Sequence, residues 1–194
     1  MCLRANKSQA THDRSDIGDE MAVLELKIFP ADILRKPTDE VTVFDEALAK
    51  TAADMAETMY MENGIGLAAN QVGLSMQMLV MDVPDEENPT TSRLKTIINP
   101  EVLESTGEVT WDEGCLSFPG LSVPVHRAET VVVQYFDATG ERHEETMQGL
   151  ESICLQHEMD HLAGITFIDY LSPLKRKLAL RELKKNLASP GANN

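Results

Sequence analysis

Apolar side chains recur at helical spacing in three stretches of the chain. The first covers residues 43–61 and is followed by the helix-ending pair Asn63-Gly64. The second covers residues 149–164, with a glycine at each end, and the third covers residues 173–187. The apolar side of the first stretch consists of Phe44, Leu48, Met55 and Met59. The pattern therefore predicts one helix before the middle of the chain and two after it.

Between the first two helices the pattern changes to the short apolar or alternating runs that are typical of β-strands. The predicted strands are residues 77–83, 94–98, 102–109, 121–125, 130–136 and 142–148. Asp137-Ala-Thr-Gly140 between the last two is a strong hairpin turn. Strands that follow one another between helices favour an α+β fold over a parallel βαβ sheet. We expect antiparallel or mixed β-sheets packed around the 149–164 helix, with an N-terminal and a C-terminal helix.

The periodic pattern begins only after a polar leader. Residues 1–20 are mixed in charge and have no periodicity, so we expect a disordered N-terminal extension or leader there. Residues 21–188 are long enough for a single domain with its own core, and residues 189–194 would form a flexible tail.

Composition is that of an ordinary globular protein, with 42% hydrophobic and 25% charged residues. No apolar run approaches the length of a membrane span, so we expect no membrane partner. The three cysteines, at positions 2, 115 and 154, do not form a disulfide framework. We therefore expect a reducing, cytoplasmic setting.

The charge is strongly acidic overall but basic near the end. A net charge of −15 argues against a general or sequence-specific nucleic-acid binder, because the phosphate backbone would be repelled. The third helix nevertheless carries Lys175, Arg176, Lys177, Arg181, Lys184 and Lys185. Such a face is either a solvated helix surface or a docking surface for a polyanion such as ribosomal RNA.

Two histidines four residues apart lie in the second helix, in His157-Glu158-Met159-Asp160-His161. Residues at this spacing share one helix face, so both imidazoles can reach one metal ion. Glu158 is adjacent to the first histidine, and its carboxylate can accept a proton from a metal-bound water. This arrangement favours metal-assisted hydrolysis. The alternative is a pair of partly buried histidines bonded to other side chains.

The spacing leaves the third ligand open among Cys115, Cys154, His126, His143 and the carboxylates. Cys154 lies a further turn toward the N-terminus and, at about 1.5 Å of rise per residue, falls several ångströms short. Cys115 lies in the glycine- and proline-containing link 113–119, where a thiolate would be a strong, soft ligand. It could equally be a buried free cysteine. His126 and His143 have strand-like neighbours and are interpreted as surface histidines.

A loop of small residues, Gly-Ile-Gly-Leu-Ala-Ala-Asn-Gln-Val-Gly, occupies positions 64–73. Without large side chains, its backbone can lie against a bound ligand, and Gln71 supplies an amide beside it. It is not a phosphate-binding loop, because no Gly-Lys-Ser/Thr follows. A helix stop with a tight turn explains the glycines but gives Gln71 no role.

These three segments together resemble the peptide deformylases. Residues 64–71 match that family's glycine-hydrophobic-glycine-leucine-alanine-alanine-x-glutamine motif, residues 113–117 its glutamate-glycine-cysteine-leucine-serine motif, and residues 156–161 its glutamine-preceded H-E-x-x-H. The resemblance covers about residues 23–185 and is closest to the Gram-negative type. Many family members have a glutamine-arginine pair where this chain has Leu121-Ser122.

The resemblance implies that the 21–188 domain removes the formyl group from the N-terminal formylmethionine of nascent polypeptides. Cys115, His157 and His161 would hold the metal, with a water in the open fourth position. Glu158 would deprotonate this water and pass the proton to the leaving amine. The metal, the Gln71 amide and the Leu116 backbone N–H would stabilise the oxyanion, by about 3–4 kcal/mol for each well-placed donor.

Substrate, metal and ribosome contacts follow from the same resemblance. It implies Fe²⁺ as the physiological metal, although the ligand set also accepts Zn²⁺, Ni²⁺ or Co²⁺. Because this enzyme family acts at the ribosome on emerging chains, the basic C-terminal helix is also a candidate surface for ribosome docking. By position in the motifs, the pocket for the methionine side chain would be lined by Ile65, Gly66, Trp111, Gly114, Leu150, Ile153 and Cys154.

Two other functions compete with this interpretation. An H-E-x-x-H zinc endopeptidase would use the same helix, but such enzymes usually take a histidine or glutamate as third ligand, and Cys115 fits that pattern poorly. A non-catalytic, metal-stabilised binding module would keep the ligands and have no need of Glu158 as a base.

Overall fold

A computed structural model describes residues 22–84 and 91–188. It contains three α-helices and seven β-strands, together with short 3₁₀ turns at Asp32–Arg35, Ala69–Val72 and Phe167–Tyr170. The helices are α1 (Glu46–Met61), α2 (Gly149–Leu162) and α3 (Pro173–Ala188). The strands are β1 (Gly66–Ala68), β2 (Met78–Met81), β3 (Lys95–Thr106), β4 (Val109–Cys115), β5 (Phe118–Arg127), β6 (Thr130–Phe136) and β7 (Arg142–Gln148). The predictions for residues 1–20 and 189–194 fall outside the described residues.

The strands form two antiparallel sheets. Five of them pair in the order β1-β2-β3-β6-β7, and β4 pairs with β5 alone. This arrangement confirms the predicted α+β class. The strands β6 and β7 and the start of α2 agree with the sequence prediction residue for residue. Within residues 22–84 and 91–188, β1 is an edge strand of the larger sheet, and β4 has a neighbour, β5, on one side only.

The core has one layer on each face of the larger sheet. In β2, Leu79 and Met81 pack toward α2, whereas Met78 and Val80 pack toward α1. Because successive strand residues point to opposite faces, a strand buried on both faces is a continuous apolar run. A third cluster joins β5, the 167–170 turn and α3, which buries Ala179 and Leu183 there. Helix α2 therefore packs on one face of the larger sheet, opposite the face that α1 covers.

Several predicted boundaries were wrong. The separate strands 94–98 and 102–109 are largely one strand, β3, which ends at Thr106 and stays continuous through two register shifts against β6, one between residues 98 and 101 and one between residues 102 and 104. Asn99, with a φ of 50°, lies within the first shift. Helix α1 begins at Glu46 rather than at 43, because the extended Asp45 caps it and its carboxylate accepts the Leu48 N–H at 2.9 Å. The strand predicted at 121–125 extends over 118–127, and β1 and β4 were not predicted.

The described parts of α1, α2 and α3 include no helix long and apolar enough to cross a membrane. On α3, Arg176 is half-buried and pairs with Asp169 at 2.6 Å. The other five basic residues predicted to form its charged face are exposed. Leu174 and Leu178 are also exposed on this helix.

Candidate metal centre

Cys115, His157 and His161 come together in the interior; we call these three the buried cluster. Their ligand atoms all lie within 4.8 Å of one another, and none of the three residues is more than 3% exposed. One turn of α2 separates the two histidines, whose ring centroids are 5.0 Å apart. The Cys115 Sγ atom is 3.1 Å from His161 Nε2. The spacing in α2 and the Cys115 segment therefore converge on one point.

Strand β4 brings Cys115 to this point. The register of β4 and β5 shifts between Gly114 and Cys115, and Cys115 then pairs with Phe118 across a two-residue turn. Phe118 is fully buried beneath the turn and stacks on Phe29 at 5.0 Å. Cys115 is therefore the last residue of a strand anchored by packing, whereas the sequence indicated a link between strands.

A buried ion pair holds His157 from behind. The Glu113 carboxylate lies 2.8 Å from His157 Nδ1. Arg127 donates to the same carboxylate through Nε at 2.6 Å and Nη2 at 3.0 Å, and through Nη1 to Asp160 at 2.6 Å. With Nδ1 occupied in this way, His157 keeps Nε2 for the cluster. Sequence reasoning missed the supporting roles of Glu113 and Arg127, because no local pattern shows that β4 and β5 place them together.

The electrostatics of the site reflect burial and close charges. Burial raises the pKa of Glu158 to about 7 despite the opposing effect of His157, and its Oε2 has no hydrogen-bond partner. Burial opposes protonation of His157, but its bonds to Cys115 and Glu113 raise its pKa well above the usual value. Burial and the nearby His157 lower the pKa of His161. Burial raises the pKa of the Cys115 thiol.

A cavity opens onto these groups, and the small-residue loop forms one of its walls. It is lined by Gly66, Gln71, Gly114, Cys115, Leu116, His157 and Glu158. Gln71 is fixed within it, because its Oε1 accepts the Ala68 N–H at 2.8 Å and its Nε2 donates to Ser117 Oγ at 3.3 Å. The same Nε2 is 3.5 Å from Cys115 Sγ.

Gly66 makes the closest backbone approach in the cavity. A Cβ atom at this position would lie 2.6 Å from Glu158 Oε1 and 2.7 Å from Cys154 Sγ. The absence of a side chain at this position leaves space beside the Glu158 carboxylate.

The other residues predicted for a methionine pocket differ in position and burial. Ile65 and Cys154 belong to the core cluster between α2 and the larger sheet, where the Cys154 thiol donates to the Ile65 carbonyl at 3.5 Å, and Leu150 packs against this cluster. Ile153 is buried but is not part of the cavity lining. Trp111 is 41% exposed and lies three residues before Gly114 on β4, outside that lining.

The donor set of the buried cluster suits a divalent transition metal. A thiolate and two imidazoles make three protein ligands, which leaves a fourth position open, as in catalytic sites. Among the described residues a second group also has potential ligands, Asp137, Glu141 and His143, and we call it the hairpin cluster. Its members are exposed or half-buried. His126 is 72% exposed and lies 3.1 Å from Glu108, as expected for a surface histidine.

Comparison with known proteins gives a consistent result. The model of the family described as polypeptide deformylase matches residues 23–177. Curated relatives include a peptide deformylase of Aquifex aeolicus, 44% identical over 86% of this chain and 98% of that protein. Another is peptide deformylase 1 of Shewanella oneidensis, 46% identical over 85% of this chain and 96% of that protein.

Solved structures agree in fold. A crystal structure of a peptide deformylase from Legionella pneumophila is 41% identical, has a TM-score of 0.81, and covers 89% of this chain and 100% of its own. A peptide deformylase from Ehrlichia chaffeensis, solved in complex with actinonin, is 38% identical with a TM-score of 0.81 and covers 87% of this chain and 100% of its own.

Proposed function

The chain belongs to the peptide deformylase family and is an enzyme, and from this premise we propose that it removes the formyl group from the N-terminal formylmethionine of nascent polypeptides. The observation that carries the proposal is that Cys115, His157 and Glu158 line one cavity, with His161 completing the buried cluster beside them. The catalytic domain would be residues 21–188.

In this proposal Cys115, His157 and His161 hold one divalent metal ion. Their donor atoms lie within reach of a single ion, and Glu113 supports His157 from behind. A divalent ion bound there lowers the pKa of water and polarises a carbonyl group. The other steps belong to side chains of this chain.

Glu158 acts as the general base. Its carboxylate is buried beside His157 and has an oxygen without a partner, so it can accept a proton from the attacking water. As the C–N bond of the formamide breaks, the same group returns this proton to the leaving amine, and formate and a free N-terminus result. General acid–base catalysis of this kind contributes about 10²- to 10⁴-fold.

Gln71 and the Leu116 backbone N–H stabilise the negative charge that develops on the formyl oxygen. Both residues line the cavity, and the Gln71 amide is held by Ala68 and Ser117 with its Nε2 toward Cys115. A donor fixed in place before the reaction contributes about 3–4 kcal/mol.

The peptide that follows the formyl group would pair with the edge of a strand. Among the described residues, β1 is an edge strand of the larger sheet and β4 is paired on one side only, and Gly66 and Gly114 from these strands both line the cavity. An extended peptide gains main-chain hydrogen bonds by joining such an edge. The methionine side chain would occupy a pocket formed by Ile65, Gly66, Trp111, Gly114, Leu150, Ile153 and Cys154.

The side chain at position 122 affects how the more distant part of the substrate backbone is bound. Ser122 is exposed on β5 directly opposite Gly114, where many family members have an arginine. Because a serine reaches less far than an arginine, we expect little side-chain contact with the distal backbone, so the edges of β1 and β4 would carry most of this recognition.

We also propose which metal ion the site holds and where the enzyme acts. Fe²⁺ would be the physiological ion, with Zn²⁺, Ni²⁺ or Co²⁺ able to replace it, because a Cys-His-His set accepts all four. The exposed basic residues of α3 would contact the ribosome in the cytoplasm, where formylated chains emerge.

Anaerobic purification followed by a formate-release assay tests the reaction. We expect formyl-Met-Ala to be hydrolysed, and formyl-Asp-Ala much more slowly, while internal bonds of an unformylated peptide stay intact. Cleavage of the unformylated peptide without formate release would contradict the proposal and favour the endopeptidase. If Glu158→Ala kept full activity, the role of Glu158 as base would be wrong.

A further inference from the structure

Two buried polar atoms that lack partners lie on residues already in contact. Among the described residues, the buried side-chain nitrogen and oxygen atoms without a hydrogen bond include Asn70 Oδ1 and His161 Nδ1. Asn70 is fully buried, and its Nδ2 donates to the backbone carbonyl of His161. Leaving a buried polar group unpaired costs about 1–3 kcal/mol, so each of the two atoms calls for a partner.

The two atoms are chemically complementary. An amide oxygen can only accept a hydrogen bond, and a neutral imidazole has one donor and one acceptor nitrogen. His161 Nε2 faces Cys115 Sγ at 3.1 Å, so the tautomer that leaves the Nε2 lone pair on the cluster side has its proton on Nδ1. That Nδ1–H is the donor that Asn70 Oδ1 needs.

We infer that Asn70 is a positioning residue for His161: its amide holds the last turn of α2 through the His161 carbonyl, and its Oδ1 pairs with His161 Nδ1–H across one water, since the two atoms make no direct hydrogen bond. This inference rests on the proposed metal centre and adds a residue to it. The hydrogen bond at one ring nitrogen determines which tautomer a histidine adopts and how its other nitrogen is aimed.

The two histidines of the buried cluster then have different supports. His157 is backed by the Glu113 carboxylate, whereas His161 is backed by the neutral amide of Asn70. Asn70 also precedes Gln71 in the same 3₁₀ turn. One short turn of the small-residue loop therefore contacts the cluster twice, through Asn70 at His161 and through Gln71 at Cys115.

The chain offers a matched control for simple helix capping. Thr38 is buried and donates through its Oγ1 to the carbonyl of Leu162 at 3.0 Å, one residue beyond the carbonyl that Asn70 contacts. Thr38→Val removes a side-chain bond from the same turn of α2 without changing the groups around the His161 ring. A purely structural role for Asn70 predicts the same consequences for both positions.

The test compares wild type, Asn70→Leu, Asn70→Asp and Thr38→Val in two measurements. Zn²⁺ affinity is measured by competition with a chelator, and the His161 tautomer is read from long-range ¹H–¹⁵N spectra of the metal-free protein. We expect Asn70→Leu to lose the Nδ1–H preference and to weaken Zn²⁺ binding about 10- to 100-fold. Asn70→Asp keeps an acceptor and should keep the tautomer, and Thr38→Val should change only thermal stability.

Wild-type affinity and an Nδ1–H tautomer in Asn70→Leu would overturn the inference, as would equal loss of affinity in Thr38→Val. If Asn70→Leu does not fold, Asn70→Asp decides, because loss of its Nδ1–H tautomer contradicts the pairing and retention supports it. Failure of the wild type to bind Zn²⁺ would instead contradict the proposed metal centre, and the His161 spectrum would still test Asn70.

Discussion

Two clusters in the described chain each contain three residues that could bind a metal ion, and they differ in the hydrogen bonds that surround them. In the hairpin cluster, Asp137 Oδ1 accepts from the Thr139 N–H at 2.8 Å, the Thr139 hydroxyl at 2.6 Å and the Glu141 N–H at 3.0 Å. Its Oδ2 is 2.8 Å from His143 Nε2. Both oxygens of this carboxylate therefore accept hydrogen bonds from residues of the hairpin itself, which stabilise the turn.

The buried cluster has the opposite character. Cys115 and His161 face each other, and the other side-chain contacts of His157 and Cys115 come from Glu113 and the Gln71 amide. Glu113 supports His157 at Nδ1, on the side of the ring away from the cluster, so this hydrogen bond leaves Nε2 available to a metal ion. Residue type and proximity therefore do not distinguish a metal site from a turn, whereas the side on which the hydrogen bonds are made does.

The largest expected difference between the two clusters is in metal affinity after one histidine is removed from each. We expect His161→Ala to lose its metal, with affinity reduced more than 100-fold, because changes outside the ligand set already cost about 10- to 100-fold. His143→Ala should bind as the wild type does. Metal analysis after anaerobic dialysis measures this, and equal metal loss in both variants would remove the distinction between the clusters.

Changing one glutamate in each environment should separate chemistry from metal binding. Glu158→Gln keeps the shape but loses the base, so formate release should fall about 10²- to 10⁴-fold with metal content unchanged. Glu141→Gln, in the exposed turn, should retain the wild-type rate. Joint loss of metal and activity in Glu158→Gln would show that Glu158 supports the ligands instead of the reaction.

A methyl group at Gly66 should displace the base, because the atoms nearest to it belong to Glu158 and Cys154. The new Cβ would lie 2.6 Å from Glu158 Oε1 and 2.7 Å from Cys154 Sγ, so the carboxylate has to move. A displacement of about 1 Å can cost 10²-fold in rate, and we expect Gly66→Ala to fall by this order with metal content retained. Steady-state kinetics beside metal analysis checks it; an unchanged kcat/KM would mean that this contact is not part of the reaction.

The hairpin cluster should affect stability and its pH dependence alone. The Thr139 hydroxyl, with His143, holds the pKa of Asp137 below its usual value. A depressed pKa gives stability that is present above the unfolded value of about 3.9 and is lost as pH falls toward the folded value. Asp137→Ala should therefore cost about 1 kcal/mol at pH 7 and less as pH falls below about 4.

Denaturant unfolding of Asp137→Ala and wild type at pH 7 and pH 3 measures this effect. A difference that stays constant between the two pH values would show that the carboxylate charge is not involved. Formate release by Asp137→Ala at pH 7 should match the wild type.

The sequence predicted features that depend on neighbouring residues and missed those that depend on the pairing of distant segments. The spacing of His157 and His161 is local to one helix, and strands β6 and β7 follow from their alternation and the 137–140 turn, so these were predicted closely. The partnership of Glu113 with Arg127 depends on the pairing of β4 with β5, and no local pattern encodes it. Strand β1 is only three residues long and rich in small side chains, which gives no period to detect.

X-ray absorption spectroscopy of the Zn²⁺-loaded protein tests the central claim most directly. A centre formed by Cys115, His157 and His161 predicts one sulfur ligand at about 2.3 Å and two imidazole nitrogens at about 2.0–2.1 Å, with one lighter ligand in the open position. A shell of oxygen and nitrogen ligands without sulfur, or a spectrum that changes in His143→Ala and not in His161→Ala, would contradict the claim.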